Sequence, residues 1–268
     1  QPDGQLQYGL IAEEVEQVMP ELVVRDATGQ VETVAYHELP AMLLNELQKQ
    51  RAAIEAQQAQ IEELRGMVEA LSGPLASGSV QLFCVDSVDA ESLYNRRVAP
   101  ALRIARHVQF DRYVLAEVIP FALGKTPDRR LIVTGCSFGG YHAVNFALRH
   151  PAEVRGCIRL SGVFDIKPFL DGYYDDNVYF HNPVDYLPNL TDEWYLHLYR
   201  TRLRLVLAAG DWDNCLDANL RISGILRNKG VNHHMDVWGD GTGHDWPWWK
   251  RMAGTYVQGM VEDAGFRE

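Results

Sequence analysis

The chain has 268 residues and no apolar run approaching the roughly 20 residues of a membrane span. It also lacks a charged-then-apolar start, so neither a membrane partner nor a signal peptide is expected. It opens at "QPDGQLQYG" without methionine, as a fragment or a processed product would. Cysteine is scarce: Cys84, Cys136, Cys157 and Cys215, with no C-x-x-C spacing. That argues against a disulfide scaffold or a zinc ribbon. Buried free thiols are expected, which suits a reducing, cytoplasmic setting. Positive charge is short: 25 Lys+Arg against 36 Asp+Glu give a net charge of −11. Nucleic acid and anionic lipid are therefore excluded as main partners. No internal repeat is visible.

What is present is unevenly placed. Residues 1–72 hold 4 Lys+Arg and 13 Asp+Glu, a balance of −9, and the remainder is close to neutral at −2. The same 72 residues contain ten of the thirteen glutamines and only two aromatics, Tyr8 and Tyr36. All six tryptophans lie between Trp194 and Trp249. The composition changes at "LSGPLASGS", Leu71 to Ser79, which reads as a linker. The expected domains are residues 1–37, a helix over 38–72, a linker over 73–79, and a second domain over 80–268.

In the first piece Leu47, Ile54, Ile61 and Val68 recur every seven residues. Leu43, Gln50, Gln57, Leu64 and Leu71 occupy the complementary positions, and Glu46, Arg51 and Arg65 flank the seam. This heptad predicts a coiled coil, with two glutamine layers that weaken the seam and restrict its register. The competing reading is an amphipathic helix packed on its own domain. A face rich in Gln, Glu and Ala favours the coil. Upstream, a short helix over 12–18, a strand over 22–25, a turn at Gly29 and a strand over 31–35 are expected.

The order "YGLIAEEVE…PELV", hairpin, "Y…L", heptads resembles the endosialidase-type intramolecular chaperone domain of phage tail spikes, over residues 8–72. The resemblance implies trimerisation through residues 43–71. That family cuts itself free with a Ser/Lys dyad upstream of the GLIA segment. The chain starts too late to contain the dyad, so no self-cleavage is expected. In the family this domain ends the polypeptide, whereas here a second domain follows.

Residues 79–268 alternate strand and helix signals, which implies a mostly parallel sheet with helices on both faces. Strands are expected at 80–85, 131–134, 157–160, 203–208 and 234–238. Helices are expected at 99–121, 139–149, 217–229 and 247–261. Gly135-Cys136-Ser137-Phe138-Gly139 lies between a strand and a helix, where a nucleophile elbow belongs. Side chains at the two glycines are expected to clash with the neighbouring strand and helix. The Phe138 N–H, at the helix start, is placed to donate to an oxyanion. Alone, G-x-S-x-G is a weak signal. It gains weight from "LVLAAGDWDNC", a strand ending at Asp211 and Asp213, and "VWGDGTGHDW", a strand ending at His244. The order Ser, Asp, His, each after a strand, suits a triad in which His244 takes the Ser137 proton and an aspartate holds its tautomer. Asp211, Asp213, Asp240 and Asp245 are all candidates for that aspartate.

"VQLFCVDSVDAESLYN", "TGCSFGGYHAVNFALRHP", "FLDGYYDDNVYFHNPVDYLPNL" and "VWGDGTGHDWPWW" resemble a bacterial family of serine esterases over residues 80–260. It belongs to the branch with esterase D-like and antigen-85-like proteins of the α/β-hydrolase superfamily. The resemblance implies an α/β fold, a small ester substrate, and Ser137, Asp213 and His244 as nucleophile, acid and base. "DGYYDDNVYFHNP" lies where such enzymes insert a cap, and Tyr173, Tyr174 and Phe180 are candidate pocket residues there. The aspartate spacing fits no calcium loop, and no metal or cofactor is expected. His142, His150, His233 and Asp86 are expected to be structural.

The esterase family begins with about three further strands, and the loop after the third carries the second oxyanion donor. Here the chaperone-like piece joins directly onto the fourth strand, "VQLFCVD". The expected fold is thus a truncated α/β-hydrolase preceded by a small α+β piece and a coiled-coil helix. Residues 80–85 would then pair with 131–134, or another chain would supply a strand, or an edge would be exposed. Three readings follow: a serine carboxylester hydrolase, impaired by the missing donor; a trimeric fibre-end module with a weak or inactive hydrolase remnant; or an artificial, misjoined fusion.

Overall fold

The computed structural model describes residues 9–263. Tyr8, where the chaperone-like resemblance opens, lies outside the described residues. The chain divides into two compact units, residues 1–64 and 65–268.

In the first unit α1 spans Ala12–Val18 and is followed by an antiparallel hairpin of β1 (Val23–Arg25) and β2 (Val31–Val34). Asp26 makes the turn: its Oδ1 accepts from the N–H groups of Thr28 (2.8 Å) and Gln30 (3.0 Å). Gly29 takes the positive φ of 87° that a side chain would disfavour. Leu22, Val34 and Ala35 form a small buried core. The Leu10 N–H donates to Tyr36 Oη at 2.9 Å. The helix α2 (Leu39–Ala70) has no buried residue. Leu43, Leu47, Ile54, Ile61, Leu64 and Val68 are all exposed along it.

The second unit takes in the last turn of α2. Leu71 is buried against Trp249, Met252 and Tyr256, and α3 (Ser72–Ala76) follows at once with Pro74 buried. The segment that composition marks as a linker is therefore folded at its start. Residues 80–85, expected as a strand, form none. Val80 and Leu82 pack on the core while Cys84 is exposed. An apolar run alone does not make a strand where no ladder partner is met.

Then come α4 (Pro100–Tyr113) and α5 (Ile119–Leu123). Sequence alone reads this stretch as one helix. Pro120 has no N–H to give and crowds the carbonyl four residues back, and the turn over Val114–Val118 widens to i→i+5 bonding. The sheet is built from β3 (Leu131–Cys136), α6 (Phe138–Arg149), β4 (Val154–Leu160), α7 (Asp176–Phe180), α8 (Pro183–Asn189), α9 (Glu193–Thr201), β5 (Arg204–Gly210), α10 (Leu216–Asn228), β6 (His234–Trp238) and α11 (Trp246–Glu262).

Its four strands are parallel in the order β3-β4-β5-β6. Each crossover is helical, as parallel pairing requires. Both faces are covered. Cys157, Leu205 and Leu207 meet α6 and α10 through Val144, Leu148, Ile222 and Leu226. Ile158, Leu160 and Ala208 meet α11 through Trp249, Met252 and Ala253. The two central strands, β4 and β5, are the buried ones, and β5 accordingly reads as a continuous apolar run with little alternation. Among the described residues β3 pairs only with β4, so it forms an edge of the sheet.

Candidate functional site

Parallel strands of matched register bring their carboxyl ends to one side. Cys136 pairs with Leu160, Leu160 with Ala208, and Ala208 with Asp236. The ladder continues into the loops. The N–H of Ser137 donates to the Leu160 carbonyl (2.9 Å), that of Ser161 to Ala208 (2.8 Å), and that of Asp211 to Trp238 (2.8 Å). Loops after β3, β5 and β6 are thereby pinned side by side, where ligands bind in open α/β sheets.

Ser137 occupies the turn between β3 and α6 with φ 51° and ψ −121°. Such a conformation costs a non-glycine residue about 1–3 kcal/mol and persists only where the surroundings impose it. A Cβ on Gly135 would overlap the carbonyl of Gly139, so the strand and the helix approach through a position that only glycine fills. Gly139 differs from expectation: a Cβ there would meet open space. The close approach is the α-carbon of Gly135 against the backbone of Gly139. The thiol of neighbouring Cys136 is pushed up to about 12 by burial, which disfavours the thiolate a cysteine nucleophile needs.

His244 lies on the loop after β6. Its Nε2 is 2.9 Å from Ser137 Oγ, and its Nδ1 is 2.9 Å from Asp213 Oδ1. An ionised carboxylate only accepts, so the proton between them sits on Nδ1, and Nε2 is left to accept from the serine hydroxyl. The Asp213 side chain is wholly buried, while that of His244 is 24% exposed. The Trp249 ring stands edge-on to the imidazole at 4.8 Å. The acid loop is tied to the histidine loop by the Trp212 N–H donating to the Thr242 carbonyl at 3.0 Å. A side chain at Gly210 would collide with that same carbonyl. The other acidic candidates are engaged elsewhere. Asp211 is exposed and accepts from the Gly241 N–H, Asp245 caps α11 by accepting from the Trp246 N–H, and Asp240 is exposed at φ 61°.

Behind the acid loop lies a buried cation. Arg159 of β4 is fully buried, and its Nη1 donates to Asn219 Oδ1. Asn219 Nδ2 donates to the Cys215 carbonyl (2.6 Å), and the Cys215 N–H donates to Asp213 Oδ1 (2.8 Å). Burial holds the Arg159 guanidinium down to about 9. Its face stacks on Phe164 with 3.7 Å to the ring centroid. Neither this relay nor the Trp249 contact is visible in the sequence, because a lone arginine in a strand and a tryptophan in a helix carry no spacing signal.

The Phe138 N–H, first in α6, donates to no acceptor within the described residues. The Phe138 ring is buried with Tyr141, Ile166 and Leu170, and Tyr94 packs on it at 4.8 Å. Tyr94, Ala90, Asn95, Arg96 and Arg97 line an open depression of about 540 Å³. Tyr173 packs against the Phe138 cluster and donates to Asp175 Oδ2 at 2.9 Å. Tyr174, half exposed, donates to Asp185 Oδ2 at 2.9 Å, and exposed Phe180 stands against Tyr179. His142 pairs with Asp89 (2.8 Å), His150 with Asp111 (3.0 Å), and His233 with Ser223 (2.7 Å).

A family profile described as alpha/beta hydrolase fold matches residues 99–251, more than half of the chain. The chain belongs to the alpha/beta hydrolase fold family. Solved structures of this fold include a ferulic acid esterase at 20% identity, where the match covers 55% of this chain and 58% of the other with a TM-score of 0.44. An S-formylglutathione hydrolase of Staphylococcus aureus is 22% identical, with 60% and 64% covered and a TM-score of 0.47. The fluorophosphonate-binding serine hydrolase F of the same organism is 22% identical, with 57% and 63% covered and a TM-score of 0.46. The chain spans less than two thirds of each of these proteins. No curated protein matches it. No helix among the described residues is long and apolar enough to cross a membrane.

Proposed function

We propose that the chain is a serine carboxylester hydrolase with Ser137 as nucleophile, His244 as base and Asp213 as acid. The observation that carries this reading is the unbroken chain of two 2.9 Å contacts, serine to histidine and histidine to aspartate, at a strained elbow. His244 Nε2 takes the hydroxyl proton as Ser137 Oγ adds to the ester carbonyl. Asp213 stabilises the imidazolium. The oxyanion is met by the Phe138 N–H. Collapse expels the alcohol, which leaves with the proton from His244. A water molecule, deprotonated by the same nitrogen, then cleaves the acyl-enzyme. With β3 at the edge, Phe138 is the one oxyanion donor assigned, and lack of a second costs roughly 10²–10³ in rate. Slow turnover with clear acylation is the expected behaviour.

The test is labelling by a fluorophosphonate together with burst release of p-nitrophenol from a short acyl ester. Both should occur in the native chain and vanish in Ser137→Ala. Folded protein that takes no label would sink the reading.

A second reading concerns assembly. The six exposed apolar residues of α2, Leu43, Leu47, Ile54, Ile61, Leu64 and Val68, support a trimeric coiled coil and the chaperone-like origin of residues 8–72. Leu71 is already committed to the core of the second unit, so the seam would close one layer earlier than the heptads suggest. The four free cysteines fit a reducing compartment such as the cytoplasm.

A further inference from the structure

Cys215 has no part in the hydrolytic scheme, yet it stands with two residues that do. Ligand atoms of Asp213, Cys215 and His244, a carboxylate oxygen, a thiol sulfur and a ring nitrogen, all lie within 4.8 Å of one another. Tetrahedral zinc with such ligands holds them roughly 3.4–3.6 Å apart, from bond lengths of about 2.0–2.3 Å. Closing the largest separation takes at most about 1.4 Å. A second observation points the same way. Asp213 Oδ1 already accepts from the His244 ring and the Cys215 N–H, while Oδ2 is buried and has no hydrogen-bond partner. A buried, acceptor-only oxygen without a donor is an incomplete site.

We propose that Asp213, Cys215 and His244 form a regulatory site for a thiophilic divalent cation of the zinc type, and that occupancy switches the serine off. The second half of this statement rests on the hydrolase reading; the first does not. The His244 nitrogen facing Asp213 is Nδ1, which carries the proton in the catalytic tautomer. A metal bonded to Nδ1 replaces that proton and moves the imidazole N–H to Nε2. Nε2 then donates toward Ser137 Oγ instead of accepting from it, so no base remains. In balance, the metal sheds bound water, bonds form to sulfur, nitrogen and oxygen, and the thiol proton passes to solvent. The carboxylate and thiolate together neutralise the divalent charge. The His244 side chain is 24% exposed, so the site is not sealed from solvent. Metal binding and acylation thus compete for one nitrogen.

Cobalt(II) reads the site by itself. Chelator-treated protein carrying Cys84→Ala, which removes the exposed thiol, should give a near-ultraviolet thiolate-to-cobalt band saturating at one equivalent. The band should persist in Ser137→Ala and disappear in Cys215→Ser. In His244→Asn, binding should weaken at least about tenfold, since even outer-sphere partners are worth that much. Zinc in excess should slow fluorophosphonate labelling about tenfold or more, and the ratio of rates with and without zinc should return to near one in Cys215→Ser. Absence of the band, or a band that survives Cys215→Ser, overturns the site. A band without zinc protection of Ser137 overturns the switch. A band in protein that never labels leaves the metal site standing and refutes the hydrolase reading alone.

Discussion

Acidification from pH 7 to pH 5 should destabilise the second unit, and His181 allows the size of the effect to be worked out. The residue is 2% exposed, at the end of α7. Its Nδ1 lies 3.3 Å from Asn145 Nδ2, its ring is edge-on to His107 at 4.9 Å, and its carbonyl accepts from Tyr141 Oη at 2.8 Å. Burial first, then the charge of Arg149, hold its pKa down to about 3, with His150 and His142 adding to the effect and Asp111 opposing it. In the unfolded chain it returns to the ordinary 6.5. Between those values the unfolded chain binds a proton that the native protein does not. Its contribution is therefore intact above pH 6.5 and is lost progressively as pH falls toward 3. At pH 5 the gap is 1.5 units, and at about 1.36 kcal/mol per unit the loss is about 2 kcal/mol. His107, likewise buried and pushed down by burial, His142 and His181, acts in the same direction. Asp111 is held below its ordinary 3.8, because its bond to His150 and the charge of Arg149 outweigh burial, so its stabilising contribution is still intact at pH 5 and is lost only as pH falls below the carboxylate range. Urea unfolding followed by tryptophan fluorescence isolates this unit, because all six tryptophans lie in residues 194–249. Between pH 7 and pH 5, His181→Asn should lose about 2 kcal/mol less than the native chain. Equal losses in the two proteins would refute the reasoning.

Three other outcomes are expected. Gly135→Ala should be destabilised by about 1–3 kcal/mol, as overpacking is, and should lose labelling of Ser137, whereas Gly139→Ala should keep both; thermal melts with a fluorophosphonate probe distinguish them. Asp213→Asn should fold, yet kcat on a p-nitrophenyl ester should fall about 10⁴-fold, as when an amide replaces the acid that holds the tautomer. Sedimentation of the full chain should give a trimer that Ile54→Asp with Ile61→Asp converts to monomer, and a monomeric native chain would remove the coiled coil.

Much of this architecture is legible in the residue order. The limits of β6 match expectation, and β3, β4, β5, α6, α10 and α11 fall within a few residues of it. Their patterns are strong because buried parallel strands and amphipathic helices impose different periods. The turn at Ser137 is legible too: a strand, a serine with glycines two residues to either side, and a helix have one simple connection. Residues 80–85 failed as a strand because a short apolar run reports which side chains can be buried, not whether a neighbour offers its backbone. Leu71 and Pro74 are packed within a stretch that composition reads as flexible, because small residues mark both flexible chain and tight packing.

Composition and order alone thus carried the α/β class, the acidic heptad pattern, and the order of Ser137, a loop aspartate and His244, with Asp211, Asp213, Asp240 and Asp245 left open and only the family resemblance favouring Asp213. Those properties are local, or depend on which residue follows which strand. Only the tertiary structure decided that Asp213 rather than Asp211, Asp240 or Asp245 reaches the imidazole, that Arg159 and Asn219 back the acid loop, and that Cys215 stands beside both. These depend on the register of β5 against β6 and on which loop carbonyl rests against Gly210, distances that form only when strands some 30 residues apart in the chain lie side by side.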